Sequence, residues 1–537
     1  MNYSAVKRQI YSDLRTRLPA RLPEFLAKQR WFGGKARQVV STEIADIVPM
    51  RGDGSEALLL VVSVHYADGT DENYSLPVVC MDQPAAGVES ESVLLNLQND
   101  ETGKVSLVVD AARNAGFLAL LFAVIEQEMV FPGENGELRG IRGKELSHSY
   151  KPSSLTAKPR LLSGEQSNTS VIYDERFILK LFRRIEEGIN PELEIGAFLT
   201  DKAHFQQVPQ LLGHLEYRNS QGRLVTQGIL QTFVPNQGDA WRHILKGLAG
   251  FYELVRKHIG EFRDRTASVF DTKRNPQVPE FARAAVEADL SAAALLGQRT
   301  AELHLALASE TDYPAFAPEP FTMEFQKNFQ ESLLQLTSAT LNLLRAKREQ
   351  LSADLRTKAD DIAQRETHIN EFFGAILRTP LHAARTRIHG DYHLGQVLYT
   401  GSDFVIIDFE GEPARPLAER RVKRSALQDI AGMMRSFHYA AFAPLLGALN
   451  EAASADELKR LTPWAGAWSR WFSARFLGEY LRTSHAAPYL LKSPAEIENL
   501  LKLHLLEKAI YELSYELNNR PTWVGIPLEG IAGLLAT

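Results

Sequence analysis

Asp391, Gln396 and Asp408 are the residues whose types and spacing point most directly to chemistry. Asp391 stands in the string His389-Gly390-Asp391, the amide Gln396 follows five positions on, and Asp408 closes an apolar run. Residues 397–399 and 404–407 are short, apolar and rich in β-formers, and Thr400-Gly401-Ser402-Asp403 lies between them. This pattern predicts a tight hairpin. A hairpin returns the chain to its starting end, so it sets the loop holding Asp391 and Gln396 beside Asp408. Two carboxylates and an amide oxygen at one point are hard donors, suited to magnesium bound alongside phosphates. The order also fits phosphoryl transfer: an aspartate in an H-x-D loop accepts a hydroxyl proton, while the amide and the second aspartate hold the metal. The plainer alternative makes His389 and His393 packed loop residues and Asp408 a turn cap.

Such a site needs a cation on the phosphates and a group to hold it. Residues 162–170 offer small hydroxyl and amide side chains, among them Ser167, Asn168 and Thr169, that could wrap phosphate oxygens; Ser/Asn/Thr turns are also common for other reasons. Lys180 sits alone in the apolar run 177–182, so it either snorkels at an edge or is paired inside. Residues 191–199 read as the start of a helix whose Glu194 could point at Lys180, although Glu192 and Glu194 also simply favour a helix N-terminus. The apolar run 224–234 ends in a Pro-Asn-Gln-Gly-Asp turn. Its Gln231 and Phe233 are placed at the nucleotide base by position only.

The elements that carry these residues fall into three regimes. Residues 1–95 open with a helical pattern (Leu14, Leu18, Leu22, Leu26) and continue with apolar runs at 57–66 and 74–79 across an Asp68-Gly69 turn. Residues 96–238 add strand signals at 104–110, 170–173, 177–182 and 224–234, with Asp174-Glu175 joining two of them. Residues 239–537 read as long amphipathic helices, including a charged one from about 334 to 377, interrupted by the hairpin near residue 400. A β-rich part followed by a helical one fits an α+β, two-lobed chain better than regular βαβ alternation.

Composition bounds the rest. The chain has 537 residues, 45% hydrophobic and 23% charged, with net charge −6. That is ordinary globular composition and excludes collagen-like and disordered classes. At roughly 150 residues per domain the length suggests two to four folded units. The mildly acidic balance disfavours nucleic acid and membrane surfaces as partners. Cys80 is the only cysteine, so neither an intrachain disulfide nor a cysteine zinc site is possible. Residues 1–30 lack a signal-like apolar core, and the most apolar stretch, 116–130, is cut by Glu126 and Glu128. A cytoplasmic protein is the expectation.

Taken together the motifs resemble those of bacterial maltokinases. The resemblance rests on Gln29-Arg30-Trp31-Phe32-Gly33-Gly34-Lys35, Glu165 to Ser170, His389 to Gln396, Asp408-Phe409-Glu410-Gly411-Glu412-Pro413, Asp429 to Phe437, and a terminal segment with Lys508, Tyr511 and Tyr515. It implies a two-lobed fold of the eukaryotic-protein-kinase and aminoglycoside-phosphotransferase kind, with a cap subdomain at 1–95, an ATP-binding N-lobe at 96–238 and a helical C-lobe at 239–537. It further implies ATP and magnesium as cofactors, and maltose converted to maltose 1-phosphate for α-glucan synthesis from trehalose-derived maltose. Under it Asp391 is the catalytic base and Gln396 and Asp408 are the metal ligands. Lys180, paired with Glu194, meets the phosphates. His389, Lys508, Tyr511 and Tyr515 lie against the sugar. Association with trehalose synthase follows as an expected partnership. Two alternatives remain: the same fold acting on glucosamine or another sugar, and a non-catalytic partner of an α-glucan enzyme.

Overall fold

The computed structural model describes residues 3–52, 54–82, 92–98, 105–149, 159–162, 167–262, 269–270, 278–413, 415–447, 449 and 453–536. The chain divides into two compact units, Met1–Pro235 and Asn236–Thr537.

The first unit holds two antiparallel sheets. One is built from β1 (Val39–Gly52), β2 (Ser55–Tyr66), β3 (Asp71–Asp82), β4 (Val93–Gln98) and β5 (Val105–Asp110), in the order β1-β2-β3-β5-β4. Gly69, with φ of 79°, makes the β2–β3 turn where the sequence places it. Alternation along the strands gives the sheet two apolar faces. One face (Ile47, Leu60, Val62, Leu76) is covered by α1 (Tyr3–Thr16) and α2 (Leu22–Lys28) through Leu14, Leu22 and Leu26, with Leu18 of the turn between them. The other (Val48, Met50, Leu59) joins α3 (Ala115–Glu126) and the second sheet in one core. Here the expected boundary at residue 95 moves: the strand ending at Asp110, expected in the second part, pairs with β3 and β4. Local pattern marks a strand but carries no information about its partner.

The second sheet comprises β6 (Val130–Pro132), β7 (Gly136–Arg142), β8 (Arg160–Leu161), β9 (Asn168–Tyr173) and β10 (Phe177–Phe182), with two later strands. The chain leaves β10 into β11 (Arg184–Ile185), which pairs with β3 of the first sheet, and returns as β12 (Leu211–Asn219) and β13 (Leu224–Thr232). The order is β6-β7-β12-β13-β10-β9-β8. Asp174 and Glu175, both at φ of 51°, form the β9–β10 turn, as the sequence indicates. Between β7 and β12 lie α4 (Lys144–Ser149) and α5 (Pro191–Asp201). Asn190 caps α5 by accepting from Glu192 N at 2.8 Å, and Pro191 opens it.

The second unit is helical. It runs through α6 (Ala240–Lys257), α7 (Glu280–Leu307), β14 (Glu319–Pro320), α8 (Met323–Lys347), α9 (Ala353–Gln364), α10 (Glu366–Gly374), β15 (Ala384–Arg385), β16 (Val397–Tyr399) and β17 (Phe404–Ile406). It ends with α11 (Leu417–Arg420), α12 (Leu427–Leu446), α13 (Ala455–Thr483), α14 (Pro494–Asn519) and α15 (Gly525–Leu535). Trp464, Trp468 and Trp471 of α13 are buried with Phe251 and Phe472. Gly297 lets α7 cross α13 closely, since a Cβ there would stand 2.3 Å from Phe476 O. The single charged helix expected at about 334–377 is instead three helices, interrupted at Arg348–Gln350 and Arg365. Its first part is core: Phe329, Leu333, Leu341 and Leu344 are buried, and Gln326 bridges to Ile376 O, Thr379 O and Leu381 N. Among the described residues no helix is long and apolar enough to cross a membrane.

Asp289, on α7, is pushed up to about 6 by burial. It lies against Gly247 of α6, where an added Cβ would come within 1.9 Å of Oδ2. A carboxyl raised in the folded state stabilises the fold at low pH, and that contribution is lost as pH rises from about 4 through about 6. Asp289→Asn should therefore raise the melting temperature above neutral pH by roughly several degrees and change it little near pH 4, a difference scanning fluorimetry reads directly.

Candidate active site

The hairpin forms in the expected register, Val397↔Ile406, Leu398↔Val405 and Tyr399↔Phe404. Ile407 N donates to Gln396 O at 3.0 Å, which carries the pairing one step beyond the strands. Gln396 Nε2 then meets Asp408 Oδ2 at 2.6 Å, so the amide and the carboxylate expected as metal ligands are in contact. Both are half-buried and both are hard oxygen donors, the set magnesium takes when phosphates and water complete its shell. Asp408 has φ of 67°, a left-handed conformation that costs a non-glycine residue about 1 kcal/mol or more and persists where the surroundings enforce it.

The loop holding Asp391 is fixed from two sides. His389 Nε2 lies 2.9 Å from Ile407 O, while its Nδ1 faces Asp391 N at 3.3 Å. One ring nitrogen must donate and the other accept, which is the neutral Nε2–H tautomer. His389 is 1% exposed. The expectation that it meets the sugar is corrected: Nε2 pins the loop to the strand end, and Nδ1 is taken by the loop's own Asp391 amide. From the other side, Asp429 of α12 accepts from His389 N at 2.8 Å and Gly390 N at 3.0 Å, and meets His304 Nε2 of α7 at 3.0 Å. Burial acts to raise its pKa, but His304, His389 and the Gly390 amide hold it below the usual carboxylate range. His304 Nδ1 continues the chain to Tyr480 of α13 at 3.0 Å. Gly432 allows α12 this approach, since a Cβ there would meet Tyr392 O at 2.6 Å.

On the open side of Asp391 stands α14. Lys508 Nζ is 3.6 Å from Asp391 Oδ1 and 4.8 Å from the centroid of the Tyr511 ring. Burial works to lower Lys508, but Asp391, Glu412 and Glu512 outweigh it and hold the ammonium above its ordinary value. His393 Nε2 lies 4.0 Å from Asp391 Oδ2, and burial keeps that imidazole below its ordinary value. Burial, then Glu412, raise the Tyr511 hydroxyl, so it stays a protonated donor. Glu412 is buried and bonded to Arg415 Nε at 2.7 Å. Tyr515, one turn on, is exposed, with Arg520 5.5 Å over its ring.

In the first unit Lys180 Nζ pairs with Glu192 Oε2 at 2.7 Å, with side-chain exposures of 12% and 3%. A carboxylate on the lysine is therefore Glu192, two positions before the expected Glu194. Asn190 and Pro191 start the helix so that position 192 is a buried site on its first turn, which spacing alone does not distinguish from 194. Ser167 is exposed, but Asn168 and Thr169 are buried strand residues paired with Phe182 and Leu181. The Thr169 hydroxyl is taken by Arg183, which is a correction to its expected place in an open loop. Residues 163–166 of that loop lie outside the described residues. Gln231 is buried on β13 opposite Ile178 and Leu211, and Phe233 N donates to Arg176 O at 2.8 Å. Sequence reasoning missed Asp429, Glu192 and His304. For Asp429 a signal was present: one acid among apolar neighbours (Leu427, Ile430, Ala431, Met433), a position that is buried only when partnered.

The sequence model of the phosphotransferase enzyme family matches residues 158–464, and that of the maltokinase N-terminal cap domain matches residues 25–113. The glucosamine kinase of Mycolicibacterium smegmatis is 28% identical over 389 residues, covering 70% of this chain and 79% of that protein. The glucosamine kinase of Streptacidiphilus jiangxiensis is 31% identical over 147 residues, covering 27% of this chain and 30% of that protein. Among solved structures, a glucosamine kinase in complex with glucosamine, ADP and inorganic phosphate superposes with a TM-score of 0.59 at 17% identity, over 95% of this chain and 98% of that one. The likeness to that structure shows a shared fold.

The close approach at Gly432 is testable without an activity assay. Gly432→Ala should force α12 away from Tyr392 O and destabilise the fold by about 1–3 kcal/mol in denaturant unfolding. Amide exchange should quicken at His389 and Gly390 while the sheets of the first unit keep their protection.

Proposed function

We propose that this chain, which belongs to the phosphotransferase enzyme family, transfers the γ-phosphoryl group of ATP to the anomeric hydroxyl of maltose. The observation that carries the reading is the clustering at one hairpin end: Asp391 beside Lys508, and Gln396 in contact with Asp408. Lys508 Nζ, 3.6 Å from Asp391 Oδ1, offers a donor beside the carboxylate placed to accept the proton. Asp391 takes the hydroxyl proton as the sugar oxygen forms its bond to phosphorus and the bond to the ADP oxygen breaks. Gln396 and Asp408 would hold magnesium, whose chemistry when bound is to offset charge on the triphosphate. In the first unit the Lys180–Glu192 pair supplies an oriented cation for phosphate oxygens.

Maltose is favoured by the match to the maltokinase cap domain and by local charge. Asp391 is already faced by Lys508, and Glu412 by Arg415, so an added ammonium on the sugar gains little here. Tyr511 offers a ring face with a hydroxyl tip, a surface suited to a neutral sugar. Glucosamine is the second reading, favoured by the name of the Mycolicibacterium smegmatis relative.

Incubation with ATP, magnesium and either sugar, followed by phosphorus NMR, separates the two. Formation of an anomeric phosphate on maltose, with a larger kcat/KM than for glucosamine, is the expected result; the reverse preference replaces the first reading by the second. Asp391→Asn should lower kcat by about three orders of magnitude or more while calorimetry still detects ATP binding. Turnover near the unsubstituted rate would remove Asp391 from the mechanism.

A further inference from the structure

Arg183 is the one residue between β10 and β11, at the point where the chain passes from the second sheet to the first. It is 1% exposed. Burying a guanidinium is costly unless its donors are taken, and the partners it has found lie on both sheets. Nε donates to Thr169 Oγ1 on β9 at 2.8 Å. The other nitrogens face the first sheet: Nη1 lies 3.4 Å from Ser75 O on β3, and Nη2 lies 3.4 Å from each carboxylate oxygen of Asp110 at the end of β5. Its Cζ lies 5.0 Å from the Trp31 ring centroid. The backbone reinforces the join, since Ser75 N donates to Arg183 O at 2.7 Å and β11 pairs Arg184 with Tyr74.

We propose that Arg183 is a positioning residue through which the N-terminal cap sets the nucleotide-binding strands. The inference rests on the reading above that the loop entering β9 and the lysine on β10 meet ATP. Thr169 lies two residues beyond Ser167, and Lys180 three residues before Arg183, so one rigid fork anchors both segments to the cap. A lysine replaces it only in part, because its donors radiate from one nitrogen whereas the guanidinium spreads them over three nitrogens in a fixed fork that reaches both sheets. The cap thereby acquires a task in the reaction through the strands it holds.

The test measures ATP and maltose kinetics for Arg183→Met, Arg183→Lys and Thr169→Val, with melting temperatures alongside. Arg183→Met is expected to raise the KM for ATP about tenfold while the KM for maltose stays within about twofold, and Arg183→Lys to recover only part of the loss. Thr169→Val is nearly isosteric and removes only the acceptor, so it should fold and still raise the KM for ATP; combined with Arg183→Met it should add little. An unchanged KM for ATP in Thr169→Val, or equal rises for both substrates tracking a lower melting temperature, overturns the proposal. If the unsubstituted protein binds no ATP by calorimetry, the nucleotide reading fails and this inference falls with it. ATP binding that is the same in all variants refutes the positioning role alone.

Discussion

A carboxylate removed from water is stable only when its lone pairs are taken, and Asp429 has both oxygens occupied. One oxygen accepts from His389 N and faces His304, and the other accepts from Gly390 N. The two amides are consecutive in the loop that carries Asp391, so a single side chain on α12 fixes the backbone immediately before the proposed base. The energetics are asymmetric: the bonds add modestly when made, but loss of one partner leaves a buried charge uncompensated. These bonds restrain the loop backbone, which is what a reaction made of positioning and electrostatics requires.

Other features of the second unit fall into place around that constraint. Gly432 brings α12 close enough for Asp429 to reach, and Gly390, at φ of 86°, takes the conformation that points both amides at it. His389 then ties the loop to Ile407, so that Asp408 follows at a fixed place. In the first unit Lys180 obeys the same rule at smaller scale. Its ammonium lies inside an apolar strand because Glu192 is buried within reach of it. Each half thus presents an ion whose orientation is set by a buried partner, and in each the partner sits at or near the start of a helix.

The hairpins were legible because their signals are local. Asp68-Gly69, Asp174-Glu175 and Thr400 to Asp403 each lie between apolar runs, and each makes the turn it indicates. The contact of Gln396 with Asp408 followed from that geometry alone. Less legible was any feature set by distant pairing. The strand at Val105–Asp110 belongs with β3 and β4, Glu192 reaches the lysine, and His389 ties the loop to Ile407. In each case the residue type was read correctly as able to pair, while the identity of the partner depended on which atoms the fold brings within 3 Å.

The sequence by itself therefore determined the donors, the turns and the order of the proposed catalytic groups, because those depend on residue type and on spacings of a few positions. Tertiary structure alone decided that Glu192 reaches Lys180, that Arg183 spans two sheets, and that Asp429, itself bonded to His304 125 positions away, holds the loop. Burial is the physical reason. A polar group taken from water must find a partner wherever packing provides one, and packing is a property of the whole chain rather than of any segment of it.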